Sequence, residues 1–208
     1  MTTHVYLCLK RNRGWPWPDE SWGLSPMFGD DGWCHNCGTP LRQQTGPLTL
    51  RRKGLNPHHG AFIPNWRFGI FCLEAGLAQR ARERFRLDLR DVAWAGSPPG
   101  AALQILIPTV GASWFDPDAL AAAATAEYGA PGQTCAHCGT WRWMPLDYDH
   151  LPPPQPTQEI DRHDIAASPE WFGSGCQSFR HVLARRELAE LIVEDSPKDF
   201  RLVEPRPH

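Results

Sequence analysis

The alternation of apolar and polar positions along this chain predicts short strands mixed with amphipathic helices. Residues 4–9 form the apolar run HVYLCL, which is followed by charged residues and predicts a buried first strand. Further on, apolar residues recur at every fourth position, as in a helix with one buried face. These residues are Leu73, Leu77, Ala81 and Phe85. Together the signals predict an α+β fold with a mixed or antiparallel sheet and a few helices.

A second helix is indicated by the residues at its ends. Asp116 suits the N-cap, Pro117 suits the first helical position, and Gly129 stops the alanine-rich segment between them. Further short strands are predicted at 48–51, 66–71, 103–107 and 141–143.

The C-terminal part of the chain predicts a small unit that follows a connector. Residues 151–156 are rich in proline and predict an extended linker. The elements predicted beyond it are a strand at 177–183, a helix at 184–193 and a strand at 200–203. A β-α-β unit this short does not fold alone. We therefore interpret residues 1–150 as a domain on which residues 157–208 pack.

The charge and the aromatic content of the chain indicate which classes of molecule it can bind. The 208 residues include 21 basic and 23 acidic side chains, a formal net charge of −2. Nucleic-acid-binding proteins need a basic surplus to neutralise phosphates, so this charge balance disfavours nucleic acid as a partner. The chain has ten tryptophans, and the Trp- and Pro-rich segment 11–33 predicts ordered aromatic loops. Tryptophan and arginine dominate interface energies. The candidate partner-binding residues are Trp15, Trp17 and Trp22 with Trp33 in this loop, and Arg80, Arg84 and Arg86 on the predicted helix.

The compartment follows from three further features. No stretch approaches the about 18 apolar residues of a membrane span, so we expect no membrane partner. The N-terminus has a five-residue apolar run, Val5 to Leu9, without the small-residue cleavage pattern of a signal peptide. Four of the seven cysteines fall in two short motifs, which fits a reducing compartment better than a disulfide scaffold. We therefore expect a cytoplasmic protein.

The strongest chemical signal is a motif that occurs twice. Residues 34–39 have the sequence CHNCGT, and residues 135–140 have the sequence CAHCGT. Two cysteines three positions apart can point both sulfurs at one ion, and the glycine permits a tight turn that directs backbone N–H groups toward the thiolates. Each motif supplies two ligands, whereas a tetrahedral structural zinc needs four. The pair predicts one structural Zn²⁺ held in a zinc-ribbon-like site by Cys34, Cys37, Cys135 and Cys138.

The spacing of the motifs leaves an alternative open. Roughly a hundred residues separate them, far more than the about 12–20 of a compact zinc finger. One shared zinc would close a long loop, where a crosslink gains most in principle. The alternative is two independent sites completed by histidines, namely His35, His137, His58 or His59. A redox-active pair is disfavoured, because the residues after the first motif indicate a turn rather than the helix that activates a thiol.

The two motifs and the C-terminal sequence together resemble one protein family. The ending WFGSGCQSFRHVLARRELAELIVEDSPKDFRLVEP, at 171–205, combines a small-residue turn, a strand, a helix and a closing strand. With the motifs at 34–39 and 135–140, these features resemble the bacterial double-CXXCG motif family. Its members are regarded as immunity proteins of contact-dependent, Sit-type toxin systems. Residues 40–134 are similar to that family only in general layout.

The resemblance implies a protein that neutralises a cognate toxin domain by binding it, with a purely structural zinc and no catalytic residues. The residues agree, since they contain no Ser/His/Asp set, phosphate-binding glycine loop or paired carboxylates. We therefore predict that this protein is not an enzyme and has no small-molecule substrate. The alternative is a zinc-ribbon regulator that binds nucleic acid or another protein. A metal-dependent enzyme is disfavoured, because four cysteine ligands leave no open coordination position.

Overall fold

The computed structural model describes residues 4–51, 60–155 and 159–207. Within these ranges the protein has thirteen β-strands in four sheets and four α-helices, which confirms the α+β fold. The strands are β1 (His4–Leu9), β2 (Trp17–Pro18), β3 (Thr49–Arg51), β4 (Ala61–Phe62), β5 (Cys72–Glu74), β6 (Leu89–Asp91), β7 (Ala93–Ala95), β8 (Ala102–Ile105), β9 (Gly132–Thr134), β10 (Trp141–Trp143), β11 (Ile165–Ala167), β12 (Val182–Arg185) and β13 (Phe200–Val203). The helices are α1 (Leu24–Phe28), α2 (Ala75–Arg84), α3 (Pro117–Tyr128) and α4 (Arg186–Asp195).

The first sheet is built around β1, in the strand order β11-β12-β1-β13. β1 runs antiparallel to both of its neighbours, which are the strands on either side of α4 in the sequence. Val5 and Leu7 face one apolar core, whereas Tyr6 and Cys8 face a second. Burial on both faces explains why the sequence of this strand is apolar without interruption. The N-terminal strand and the predicted C-terminal unit therefore share one sheet.

The first core lies between this sheet and a second one, of order β4-β5-β8-β6. α2 and α4 pack against each other in that core. Leu77 and Ala81 of α2 and Leu188 and Ile192 of α4 are fully buried there. Burying one leucine or isoleucine side chain contributes about 1.5–3 kcal/mol. The two helices therefore hold the sheets together by apolar burial.

α2 is shorter than the predicted helix, and this changes the assignment of one candidate residue. Leu73 lies in β5, and Glu74 caps the helix by accepting hydrogen bonds from backbone N–H groups of the first turn. After Arg84 the backbone becomes extended at Phe85, whose ring is buried in the first core. Arg86 therefore lies beyond the helix, and its predicted place on the helix face is wrong.

α3 has the predicted ends. Asp116 Oδ1 accepts a hydrogen bond of 2.9 Å from the Ala119 N–H, and Pro117 is the first helical residue. Gly129 ends the helix with a φ of 75°, a conformation that glycine adopts at no steric cost. Leu120 anchors α3 in the second core, on the face of the first sheet opposite to α4.

Two predicted strands differ from the structure. Residues 66–71 do not form a strand, because Trp66 is left-handed with a φ of 63° and strand pairing starts only at Cys72. β12 begins at Val182 rather than at 177, because residues 173–178 form a loop over the first cysteine motif.

The smaller sheets connect the loops near the cysteine motifs. The sheet β2-β3-β7 joins the aromatic N-terminal segment to the following chain, and β9 and β10 flank the second motif as an antiparallel pair. A third core, which contains Met27, Leu48 and Leu50, packs this region onto the second sheet. In the part of the chain that the structure describes, no helix combines the length and the apolar character needed to cross a membrane.

Candidate metal centre

The two CxxCGT motifs have the same backbone conformation. In the first, the Gly38 N–H donates to the Cys34 carbonyl over 2.7 Å, and the Cys34 N–H donates to the Thr39 carbonyl over 2.9 Å. The second motif repeats both bonds, each at 2.9 Å, with Gly139 and Cys135 in the equivalent positions. The two glycines have φ values of 71° and 74°, which other residues adopt only at a steric cost. The repeated sequence therefore encodes one turn that is used twice.

These turns bring four sulfur atoms together. All four Sγ atoms lie within 4.8 Å of one another. Between the motifs, Cys34 Sγ and Cys135 Sγ are 3.8 Å apart, and Cys37 Sγ and Cys138 Sγ are 3.6 Å apart. A tetrahedral ion with metal–sulfur bonds of about 2.3 Å needs ligands about 3.8 Å apart. The cluster has the donor set and dimensions of a four-cysteine metal site, to which each motif supplies two ligands.

The threonine that ends each motif contacts a sulfur atom. Thr39 Oγ1 lies 3.1 Å from Cys37 Sγ, and Thr140 Oγ1 lies 3.3 Å from Cys138 Sγ. A hydroxyl group can donate a hydrogen bond to a thiolate and so favour its charged form. The threonines were not singled out from the sequence, although their presence in both motifs is a signal that could have identified them.

The thiol pKa values differ between the motifs. Burial raises the pKa of Cys37 to about 12, and burial also raises the pKa of Cys34. Asn36 of the first motif reaches across to the second, where its Nδ2 donates to Cys135 Sγ over 3.3 Å. This hydrogen bond is the main reason that the pKa of Cys135 is lowered to about 5. Asn36 therefore links the two motifs and stabilises negative charge on the second.

The loop 173–178 covers the first motif. Ser178 Oγ donates to the Cys37 carbonyl over 2.8 Å. A Cβ atom on Gly38 would lie 2.2 Å from the carbonyl oxygen of Cys176, so only glycine fits under this loop. The exposed Cys176 contacts the motif through its backbone and through its Sγ, which lies 3.7 Å from the Asn36 carbonyl oxygen, and it is not one of the four clustered cysteines.

A buried arginine lies between this loop and the metal centre. Arg142 Nη1 donates to the carbonyls of Gly175, Gln177 and Cys37 at 2.7, 3.2 and 3.3 Å. Four thiolates around a divalent ion carry a net charge of −2. With such an ion bound, the Arg142 guanidinium would balance part of that charge, since it lies beside the motif and is itself removed from solvent.

The histidines considered as alternative ligands are not part of the cluster. Among the described residues, the group contains the four cysteines alone. His35 stacks on Trp33 with ring centroids 4.0 Å apart, and His137 is exposed. His58 and His59 lie outside the described residues. The arrangement favours one shared site over two separate ones.

The predicted aromatic residues fall into two groups. Trp33 is buried in the third core and cannot contact a partner. Trp15, Trp17 and Trp22 are exposed by 40%, 38% and 44%. The rings of Trp17 and Trp22 have centroids 6.1 Å apart, and Trp66 extends the row at 6.5 Å from Trp22. We call Trp17, Trp22 and Trp66 the tryptophan cluster.

The backbone under the tryptophan cluster is strained. Glu20, Ser21 and Trp22 have successive φ values of 37°, 43° and 62°, and Trp66 has 63°. Each such conformation costs a residue with a side chain about 1–3 kcal/mol. The sequence analysis did not identify Trp66, because only the folded chain brings it beside Trp22.

The three predicted arginines have different surroundings. Arg80 forms an ion pair with Asp195 of α4. The Arg84 guanidinium carbon lies 5.2 Å from the centroid of the Phe85 ring. Arg86 lines a large cleft that the other two do not line. The structure therefore does not bring these residues together as one basic surface.

The four-sulfur cluster can hold an ion but leaves it no coordination position for a substrate or a reactive water molecule. Protein-family models, curated proteins and solved structures contain no match to this chain. Function must therefore be inferred from the residues and from the resemblance of the motifs.

Proposed function

We propose that this protein is a cytoplasmic immunity protein that binds and blocks one cognate toxin domain. The observation that carries the proposal is the tryptophan cluster, in which three large rings lie side by side and exposed. Exposed aromatic patches mark interaction sites, and tryptophan is among the residues most often found at the energetic centre of an interface. The family resemblance of the two motifs supplies the nature of the partner.

The strained backbone supports the same proposal. Four non-glycine residues with positive φ lie in the two segments that present the cluster. Strain of this kind persists where the surrounding structure holds it, and it concentrates at binding sites. Rings fixed in advance lose less conformational entropy on binding than mobile ones. Blocking a toxin requires such a complementary surface and no catalytic residue.

We propose Zn²⁺ as the metal, one ion per chain, in a structural role. Four thiolates at tetrahedral spacing select zinc or iron, and a closed site is typical of structural zinc. Elemental analysis of the purified protein should give about one zinc per chain. Cys135→Ser should lose most of it, and chelation should lower the melting temperature clearly. Two zinc ions per chain, or full retention in the variant, would contradict a shared site.

The test of function is co-expression with the toxin encoded beside this gene. We expect cells to survive only when this protein is present, and a tagged copy to retain the toxin in a pull-down. Trp22→Ala should weaken the complex by about 30-fold, the equivalent of a 2 kcal/mol hot spot. Trp15→Ala should have the smaller effect, since Trp15 lies outside the cluster.

Trp141→Ala is the matched control. Trp141 is exposed by 40%, similarly to Trp22, but its ring contacts Trp143 and not the cluster. Its replacement should leave toxin binding unchanged. If the toxin kills equally with and without the protein, the immunity proposal is wrong. The zinc-ribbon regulator would then take its place.

A further inference from the structure

A cleft of about 1070 Å³ adjoins the metal centre. Its lining includes Pro40, which directly follows the first motif, and Ser178, which donates a hydrogen bond to the Cys37 carbonyl. The lining also includes residues of the second sheet, where Arg90 of β6 pairs with Gln104 of β8. The cleft is therefore connected to the first cysteine motif through the chain at Pro40 and through the hydrogen bond of Ser178.

The lining of the cleft is strongly basic. Asp88 is the one carboxylate among the described lining residues. Five arginines line the same space: Arg42, Arg67, Arg86, Arg90 and Arg180. Among the described residues, the arginines that form ion pairs with carboxylates within 4 Å all lie outside this set of five. This concentration of positive charge contrasts with the net charge of −2 of the whole chain.

Among these residues, Arg67 gives the strongest indication that the cleft binds an anion. It is 6% exposed, and within the described residues its side chain has no hydrogen bond and no ion pair; its Nε is buried without a partner. Burial lowers the pKa of Arg67 to about 10, so the guanidinium is still charged at neutral pH. A buried charge without a counter-charge costs several kcal/mol. An anion in the cleft would supply the missing partner.

Two of the other guanidinium groups are oriented by hydrogen bonds to neutral carbonyls. Arg90 Nη1 donates to the carbonyl of Gly46 over 3.0 Å. Arg180 Nη1 donates to the carbonyl of Ser168 over 3.0 Å, and its guanidinium lies 4.2 Å from the centroid of the Trp171 ring. Bonds to neutral carbonyls orient these groups and leave further N–H donors for a ligand.

We propose that the cleft binds an acidic polypeptide segment of the protein's partner, with a carboxylate of that segment on Arg67. Carboxylates match the planar guanidinium group in two parallel hydrogen bonds. Aliphatic side chains such as Leu41 and Ile107 lie among the arginines and suit the apolar side chains of a peptide. The Arg180 guanidinium covers one face of the Trp171 ring, so a nucleobase could not stack on that face. The identity of the partner as a toxin rests on the proposed function.

The binding test uses the zinc-loaded full chain and fluorescence anisotropy. The probe is a labelled peptide of alternating glutamate and leucine, and its control has glutamine in place of each glutamate. We expect the glutamate peptide to bind, the glutamine peptide not to bind, and the affinity to fall as salt is added. Failure of the glutamate peptide to bind at low salt overturns the proposal.

Arg67→Met separates a binding role from a structural one. We expect peptide affinity to fall by about 30-fold or more, the effect of removing one partner of a buried charge pair. The melting temperature of the free protein should stay the same or rise, because an uncompensated buried charge has been removed. A lower melting temperature with unchanged peptide affinity would show that Arg67 only supports the fold.

Two exposed arginines provide the graded comparison. Arg86→Gln, at the cleft, should weaken peptide binding about twofold to fivefold, as expected for a solvent-exposed ion pair. Arg82→Gln removes the same charge from the exposed face of α2, outside the cleft, and should change nothing. Equal effects of the two variants would mean that the peptide responds to overall charge and not to the cleft.

Two further arms distinguish the ligand and the function. A single-stranded oligonucleotide of equal charge that binds more tightly than the peptide would overturn the peptide proposal in favour of a nucleic-acid ligand. If Arg67→Met protects cells from the toxin as well as the natural chain does, immunity stands and the cleft proposal fails. If the peptide binds in an Arg67-dependent way but no toxin is neutralised, the cleft stands and the proposed function fails.

Discussion

The two cysteine motifs have the same sequence pattern and the same hydrogen-bonded turn, yet they lie in different surroundings. The first is covered by the loop 173–178, so that a Cβ on Gly38 would lie 2.2 Å from a carbonyl oxygen. The second is open, and nothing lies within 4 Å of the corresponding position on Gly139. The comparison teaches that local sequence determines the turn, whereas contacts with distant residues determine how much each turn contributes to stability.

The polar partners of the two motifs differ in the same way. Thr39 is buried and lies 2.9 Å from Ser178 Oγ in addition to its contact with a sulfur. Asn36 and His137 occupy equivalent positions and are both exposed, but of the two only Asn36 donates to a sulfur of the opposite motif among the described residues. The first motif is therefore packed against other parts of the protein, whereas the second lies at the surface. Equivalent substitutions should have unequal effects.

The largest expected difference is in the free energy of unfolding lost when each of the two motif glycines is replaced by alanine. Gly139→Ala should cost about 1–2 kcal/mol, because the new side chain must adopt a positive φ. Gly38→Ala should cost about 1–3 kcal/mol more, because the methyl group also collides with the Cys176 carbonyl. Urea unfolding of the two zinc-saturated variants measures both values. Equal losses would show that the covering loop moves away easily, and would contradict the conclusion that the first motif is tightly packed.

The next difference concerns zinc affinity. Asn36→Ala removes the hydrogen bond to Cys135 Sγ, and the loss of such an outer contact typically lowers metal affinity 10- to 100-fold. His137→Ala changes the equivalent position of the second motif and should leave affinity unchanged. Competition with a chromogenic chelator gives both constants. A loss of affinity in the His137 variant would contradict the separation of that histidine from the four-cysteine cluster.

Strands, helices and motifs that depend on residues close together in the sequence were predictable. The strand at 4–9 and the helix after Asp116 were predicted correctly, since burial on both faces and a capping pair are visible in the sequence. Likewise, the repeated motif was enough to predict which four cysteines would meet. In each case the determining residues lie within one element or are marked by identical copies.

Features that depend on distant residues were missed. Residues 66–71 were predicted as a strand, but Trp66 takes a left-handed conformation that places its ring beside Trp22 and Arg67 at the cleft. No periodicity marks a turn of this kind. The cleft itself was not predicted, because its arginines come from four separate segments of the sequence and only the fold brings them together.

The smallest expected difference concerns the two threonines. Thr39→Val removes a buried hydroxyl that contacts both a sulfur and Ser178 Oγ, yet Ser178 keeps its hydrogen bond to the Cys37 carbonyl. The cost should therefore be about 1 kcal/mol, the net value of one hydrogen bond. Thr140→Val, at a half-exposed position, should cost about 0.5 kcal/mol or less. Thermal unfolding with excess zinc resolves this difference, and a larger loss for Thr140→Val would reverse the order of the two motifs.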